Sequence, residues 1–252
     1  MRLLTILFLT LLTSIGYTQY CPALGPDQLL PCGVGSTTLT ADLSQCGIGG
    51  PTPNQTTSYS TGPIPYVNQT NTGTNLFMTD DSQQGPFQIG FTFCFFGQTY
   101  NQFWVGSNGW ISFSPGQPTT FTTQTIPTAN PLVPKNCIMG PWQDWHPGIG
   151  GQIKYQTIGV APCRKLIVSW INMPMFSCTN NFGTFHIVIH ESTNLIENFI
   201  VNKQFCAWAG GTAVQGIHNL PGTVGITVPA RNSTVWTAVN EAYAYTPNGP
   251  VV

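Results

Sequence analysis

The sequence predicts an all-β protein, a disulfide-stabilised β-sandwich of jelly-roll type behind an irregular N-terminal lead-in. Three observations carry this. No window of useful length has the apolar spacing of an amphipathic helix, and short apolar runs recur instead between turn residues, Gly (27) and Pro (21) being abundant. Eight cysteines lie beyond a leader-like N-terminus. With 41% hydrophobic and 12% aromatic residues the chain can bury a sizeable core, so disorder is set aside except locally.

The leader comes first. Arg2 precedes an apolar run from Leu3 to Leu12, followed by small and polar residues up to Gln19. This is the layout of a secretory signal peptide over residues 1–18, because the run is about half the roughly 20 residues of a membrane span. The mature chain is therefore expected to be exported, to the cell surface or beyond, without inserting into a membrane. Thr18-Gln19-Tyr20 before Cys21 lacks the small-residue box of a lipoprotein, so Cys21 reads as an ordinary half-cystine.

Residues 19–65 are rich in Cys, Gly and Pro and poor in periodicity, and read as the lead-in; residues 66–246 read as the sandwich, and 247–252 as the start of a linker to further domains of the same polypeptide. Phe87, Ile89, Phe91, Phe93 and Phe95 alternate as a half-buried strand requires. Asn108-Gly109, between the apolar stretches 103–107 and 110–113, predicts a hairpin with a two-residue type I′ turn. Further strands are expected at 151–157, 163–172, 183–191, 194–201, 213–218, 223–228 and 239–245, and a long loop at 114–134.

Cys21, Cys32, Cys46, Cys94, Cys137, Cys163, Cys178 and Cys206 are expected to form four bridges in an oxidising compartment. No Cys-x-x-Cys spacing supports zinc. Only 6% of residues are charged and the net charge is -1, so neither nucleic acid nor anionic lipid has an electrostatic footprint to bind.

No catalytic residue is assigned. On a strand, His186 and His190 stand about 13 Å apart at roughly 3.3 Å per residue, too far to share an ion, and read as surface-face histidines. Ser107 lies in a strand-to-strand turn rather than a nucleophile elbow. Two features invite chemistry. Asp80, Asp81 and Asp144 are three of only eight acidic residues, and the adjacent pair repels itself unless neutralised. The plainer reading is a solvated turn plus a capping Asp; the alternative is a structural calcium ion, the one cofactor contemplated. Trp142, Trp145 and His146 crowd one segment, where the plainer reading is core packing and the alternative is a ligand site that stacks on sugar rings.

The stretches 91–100, 105–113, 138–144, 161–170, 173–178 and 202–206 resemble the N-terminal domain of large Bacteroidota surface proteins, type IX secretion clients associated with gliding motility and adhesion. The order of a Ser-Asn-Gly hairpin at 107–109, a Pro-Trp-x-Asp loop at 141–144 and a Val-x-Trp strand at 168–170 is also similar to the extracellular nidogen-like domain. These resemblances imply a non-catalytic extracellular binding or structural module of a cell-surface adhesin, in one form the distal domain of a gliding-motility filament. Its partner is expected to be an extracellular glycan, surface or protein. The competing reading is an accessory carbohydrate-binding domain of a secreted polysaccharide-degrading enzyme.

Overall fold

The computed structural model describes residues 23–24, 41–42 and 58–248. Two short strands, β1 (Ala23–Leu24) and β2 (Ala41–Asp42), pair antiparallel. The remaining strands form two packed antiparallel sheets, the expected β-sandwich. One sheet contains β3 (Ser58–Ile64), β4 (Thr74–Leu76), β9 (Gln152–Ile158), β10 (Lys165–Met175), β11 (Cys178–His190), β12 (Ile196–Lys203) and β15 (Ala238–Asn248). They lie in the order β3-β15-β12-β11-β10-β9-β4. The other contains β5 (Gln83–Phe95), β6 (Gln98–Gly106), β7 (Trp110–Ser112), β8 (Cys137–Trp142), β13 (Thr212–His218) and β14 (Gly225–Val235), in the order β14-β13-β8-β7-β6-β5. Each excursion to the opposite sheet returns beside the strand it left: β9 pairs with β4, β13 with β8, and β15 with β12. This nesting is the jelly-roll element, and meanders fill the spaces between.

Alternation along the strands builds the layer between the sheets. Ile89, Phe93, Phe95 and Phe103 from one sheet meet Trp170, Phe185, Ile187 and Ile189 from the other. Trp170 stacks on Phe185 at 4.9 Å between ring centroids, and Trp145 joins them at 5.3 Å. Close approach here depends on a missing side chain, since a Cβ on Gly183 would lie 2.2 Å from the Trp145 ring.

Both outer faces are also covered. On the six-stranded sheet, Trp110, Met139, Trp142 and Val214 form a second apolar cluster, closed by Ile126 and Val133. These two come from the long loop, which is fastened by Trp142 Nε1 donating to the Thr120 carbonyl and by Asn232 bonding both backbone groups of Ile126. On the seven-stranded sheet, Ile64 and Tyr66 pack over Ile167, Val188 and Phe199. There Asn71 donates to the carbonyls of Lys154 and Ile167 and to Ser169 Oγ. His186 joins this network, its Nδ1 2.7 Å from Ser169 Oγ, and is buried rather than on an open face. Burial pushes its imidazole down to about 4. His190 pairs with Glu197 at 2.7 Å.

Four further expectations are corrected. β3 falls inside the stretch read as lead-in, yet it pairs with β15 from Ile64↔Ala242 to Ser58↔Asn248, so the sheet begins before residue 66. β8 lies just beyond the loop expected at 114–134 and is absent from the expected strands, because all six of its residues are buried and no alternation marks it. The hairpin turn has three residues: Gly106 pairs with Trp110, Gly109 N donates to the Gly106 carbonyl, and Gly109 alone takes a positive φ of 88°. That is a type I turn with a glycine bulge, not type I′.

The fourth correction concerns the cysteines. Cys178 and Cys206 are bridged, with 5.9 Å between their Cα atoms, and Cys163 is disulfide-bonded. Cys94 is buried. Cys21, Cys32 and Cys46 lie outside the described residues. Cys137, however, is a reduced thiol sealed in the second apolar cluster, its Sγ 3.3 Å from the Pro134 carbonyl, so the eight do not all pair. Burial pushes its ionisation far up, which makes the thiol inert while the protein is folded.

Two outcomes are expected. Gly183→Ala should destabilise the fold by about 1–3 kcal/mol, because the added methyl overpacks Trp145; a denaturant midpoint equal to the parent's would contradict this. In the unreduced protein Cys137 should resist alkylation until the chain is denatured and then react fully, as peptide mass analysis can read.

Candidate functional site

The Ser107-Asn108-Gly109 turn joins β6 to β7 and points its Asn108 side chain into the protein, where it is fully buried. Asn108 Nδ2 donates to Asp81 Oδ1 at 2.7 Å and to the Thr119 carbonyl at 3.0 Å. Its Oδ1 accepts the Trp145 backbone N–H at 3.1 Å. Around it Gln143 N donates to the Asn108 carbonyl, and Trp170 Nε1 donates to the Ser107 carbonyl at 3.2 Å. Ser107 also binds the Asp80-Asp81 turn from both sides: Ser107 N donates to the Ser82 carbonyl, and Ser82 N to Ser107 Oγ.

Asp144 enters from the end of β8. Its carbonyl accepts Phe176 N, while His146 N donates to the Pro174 carbonyl, so residues 144–146 run beside the β10–β11 turn. One oxygen from each of Asp80, Asp81 and Asp144 lies within 4.8 Å of the others. Asp144 Oδ2 accepts the Trp208 indole N–H at 2.7 Å. His146 Nδ1 stands 3.7 Å from Asp80 Oδ1. Burial pushes the Asp144 carboxyl up to about 7; the Trp208 hydrogen bond pulls it down, while the charges of Asp81 and Asp80 add to the rise. Asp80 is raised chiefly by burial and next by Asp81, against the lowering effect of His146.

The two predicted sites thus fare differently. The three aspartates are brought together, Asp144 joining the adjacent pair Asp80-Asp81 from more than sixty residues away. Trp142 and Trp145 are fully buried, and their indole N–H groups are spent on the Thr120 and Pro141 carbonyls. Neither ring can stack on a ligand, which corrects that expectation in favour of core packing. His146 is half-buried against Phe176, 5.2 Å between centroids. The long loop presents Phe121 but buries Ile126 and Val133 as a cover.

Sequence reasoning missed the exposed aromatics. Trp208, 42% exposed, lies in a 3-10 turn, Trp208–Gly211, separated from Cys206 by one residue. Three of its residues take a positive φ: Ala209 at 49°, Gly210 at 77° and Gly211 at 70°. Phe176 packs beside Trp208 at 5.2 Å and Phe121 at 6.3 Å. The three border a cleft floored by Gln143, Asp144 and Met175 and braced by the Cys178–Cys206 bridge. The available signal was a tryptophan two residues after a half-cystine, ahead of Gly-Gly, in a stretch with no strand period.

The junction of the Ser-Asn-Gly turn, the Pro-Trp-x-Asp segment and the Val-x-Trp strand, which meet through Asn108 and Trp170, is the feature behind the nidogen-like resemblance. A family described as NIDO related matches residues 55–249 of the chain. The chain belongs to the NIDO-related family. A NIDO-related domain is of extracellular type, compatible with a non-catalytic extracellular module and with an exported protein. No curated protein and no solved structure matches the chain. Among the described residues of this NIDO-related chain, no helix is long and apolar enough to cross a membrane.

Asn108→Ala should destabilise the domain by about 2–4 kcal/mol, since it leaves the buried Trp145 N–H and the Thr119 carbonyl without partners. Chemical denaturation followed by tryptophan fluorescence would read the change; a loss below about 1 kcal/mol would show that Asn108 does not hold the junction.

Proposed function

We propose that the chain is a non-catalytic binding or structural module of a cell-surface adhesin, and that it engages a saccharide at the cleft bordered by Trp208, Phe176 and Phe121. The exposure of Trp208 beside two further rings carries this reading. An indole face that is partly in water, next to Gln143 and Asp144 as polar groups, suits the apolar face and hydroxyl rim of a sugar ring. The non-catalytic part is supported by how the acids around the cleft are used: Asp81 is held by Asn108 and Asp144 by Trp208. Both are bonded as braces between loops rather than as a separated acid–base pair.

The similarity of the stretches 91–100 to 202–206 to Bacteroidota gliding-motility proteins supports the narrower version, a distal domain of a type IX-secreted surface filament. An accessory carbohydrate-binding domain of a polysaccharide-degrading enzyme would use the same aromatic row, so attachment assays need a soluble-polysaccharide arm. Adhesion of beads coated with the chain, to cells and to immobilised glycans, should fall at least about tenfold in Trp208→Ala, a hot-spot-sized loss. The variant should still fold, as far-UV circular dichroism would check. Undiminished attachment by a folded Trp208→Ala protein would remove the cleft as the contact surface. Retention on soluble polysaccharide with no attachment to cells would favour the accessory-domain reading.

A further inference from the structure

We propose that Asp80, Asp81 and Asp144 hold a single calcium ion that ties the turn before β5 to the segment after β8. The mutual spacing within 4.8 Å is what one ion can bridge, because two oxygens at about 2.3–2.6 Å from a common centre are at most about 5 Å apart.

A second observation points the same way. Asp144 is only 7% exposed, with Oδ2 taken by the Trp208 N–H, yet its Oδ1 is buried with no hydrogen-bond partner among the described residues. Asp80 Oδ1 is in the same condition. Buried carboxylate oxygens almost always find a donor, and a cation satisfies them as well as a donor does. Among the described residues no Lys or Arg forms an ion pair with any of the three; the one basic side chain in ion-pair range is the imidazole of His146, 3.7 Å from Asp80.

The chemistry of the donors selects the ion. All three ligands are hard oxygens, with no thiolate and no second imidazole, which disfavours zinc and copper. Asn108 and Trp208 each hold one oxygen of a ligand, so the carboxylates are pre-oriented while water can complete an irregular shell. That suits calcium better than magnesium, which demands a tight octahedron. With one oxygen of Asp81 and one of Asp144 committed elsewhere, affinity should fall in the range of about 10⁻⁴–10⁻³ M that extracellular modules show. The ion would also fix Asp144, and through it the indole of Trp208. The site stands on the carboxylates alone and survives even if the cleft binds no saccharide.

The test is calorimetric titration of the chelator-stripped full chain with calcium chloride, with thermal melts in millimolar calcium and in chelator. A saturable one-to-one isotherm is expected, with a rise in Tm of roughly 3–6 °C at tenfold excess over Kd. Asp81→Asn keeps an oxygen for Asn108 and should weaken calcium binding at least tenfold; Asp80→Asn should do the same without touching Asn108 or Trp208. The absence of binding heat and of any Tm change in the parent chain overturns the proposal, whatever the variants do. So does an equal response to magnesium, or an unaltered isotherm in both folded variants. If a variant fails to fold, the parent titration and the other variant decide.

Discussion

One side-chain amide joins three loops at one end of the sandwich. Asn108 is fully buried, and a buried amide is stable only if its donors and acceptor are engaged. It meets that condition by reaching three separate segments: the turn before β5 through Asp81, the long loop through Thr119, and the strand end after β8 through Trp145 N. None of these segments has a regular ladder at the point of contact. Among the described residues Asn108 is the one side chain that touches all three at once, while the Ser82–Ser107 bonds, the Trp142–Thr120 bond and the Phe176–Asp144 bond hold them singly, and Ser107 and Trp170 brace the turn that carries it. The aspartates converge because Asn108 fixes one of them, and the exposed indole of Trp208 is aimed because Asp144 receives its N–H.

The legible part of the sequence was its alternation. Phe87 to Phe95 and the strands expected at 151–157, 163–172, 183–191, 194–201, 213–218, 223–228 and 239–245 all have counterparts in the sheets, although β11 begins earlier, at Cys178, and β14 runs on to Val235. Strands that break the pattern were not legible. β8 is buried on both faces, since the long loop covers one side and the other sheet the remaining side, so Cys137 to Trp142 reads as an undivided apolar run. β3 contains Gly62 and Pro63 and takes its place by pairing with β15 and by burying Tyr59 against Phe95 and Phe96, contacts between residues far apart in the chain.

The candidate site shows the same division. The unusual scarcity of acids made Asp80, Asp81 and Asp144 conspicuous as a group, although nothing in spacing alone says they meet. Tryptophans were conspicuous too, but a tryptophan's letter does not say which side of a sheet it faces. Trp142 and Trp145 fill cores, while Trp208, isolated in a Gly-rich turn, reaches the surface. Charge scarcity also leaves structural cations few partners: Lys203 is buried over the Trp236 ring at 4.6 Å and donates to the Trp236 carbonyl, and burial together with Arg231 brings its ammonium down to about 8.

The pairing of Ser58 with Asn248 at the end of the β3–β15 ladder fixes how the domain meets mechanical load. The two strands are antiparallel, so the chain enters and leaves this edge of the sheet at neighbouring points. Tension applied between those points pulls perpendicular to the strands and opens the ladder one rung at a time, as a zip does, rather than shearing all its rungs at once. The edge strand would peel first, while β15 stays paired to β12 and the packed layer behind it remains closed.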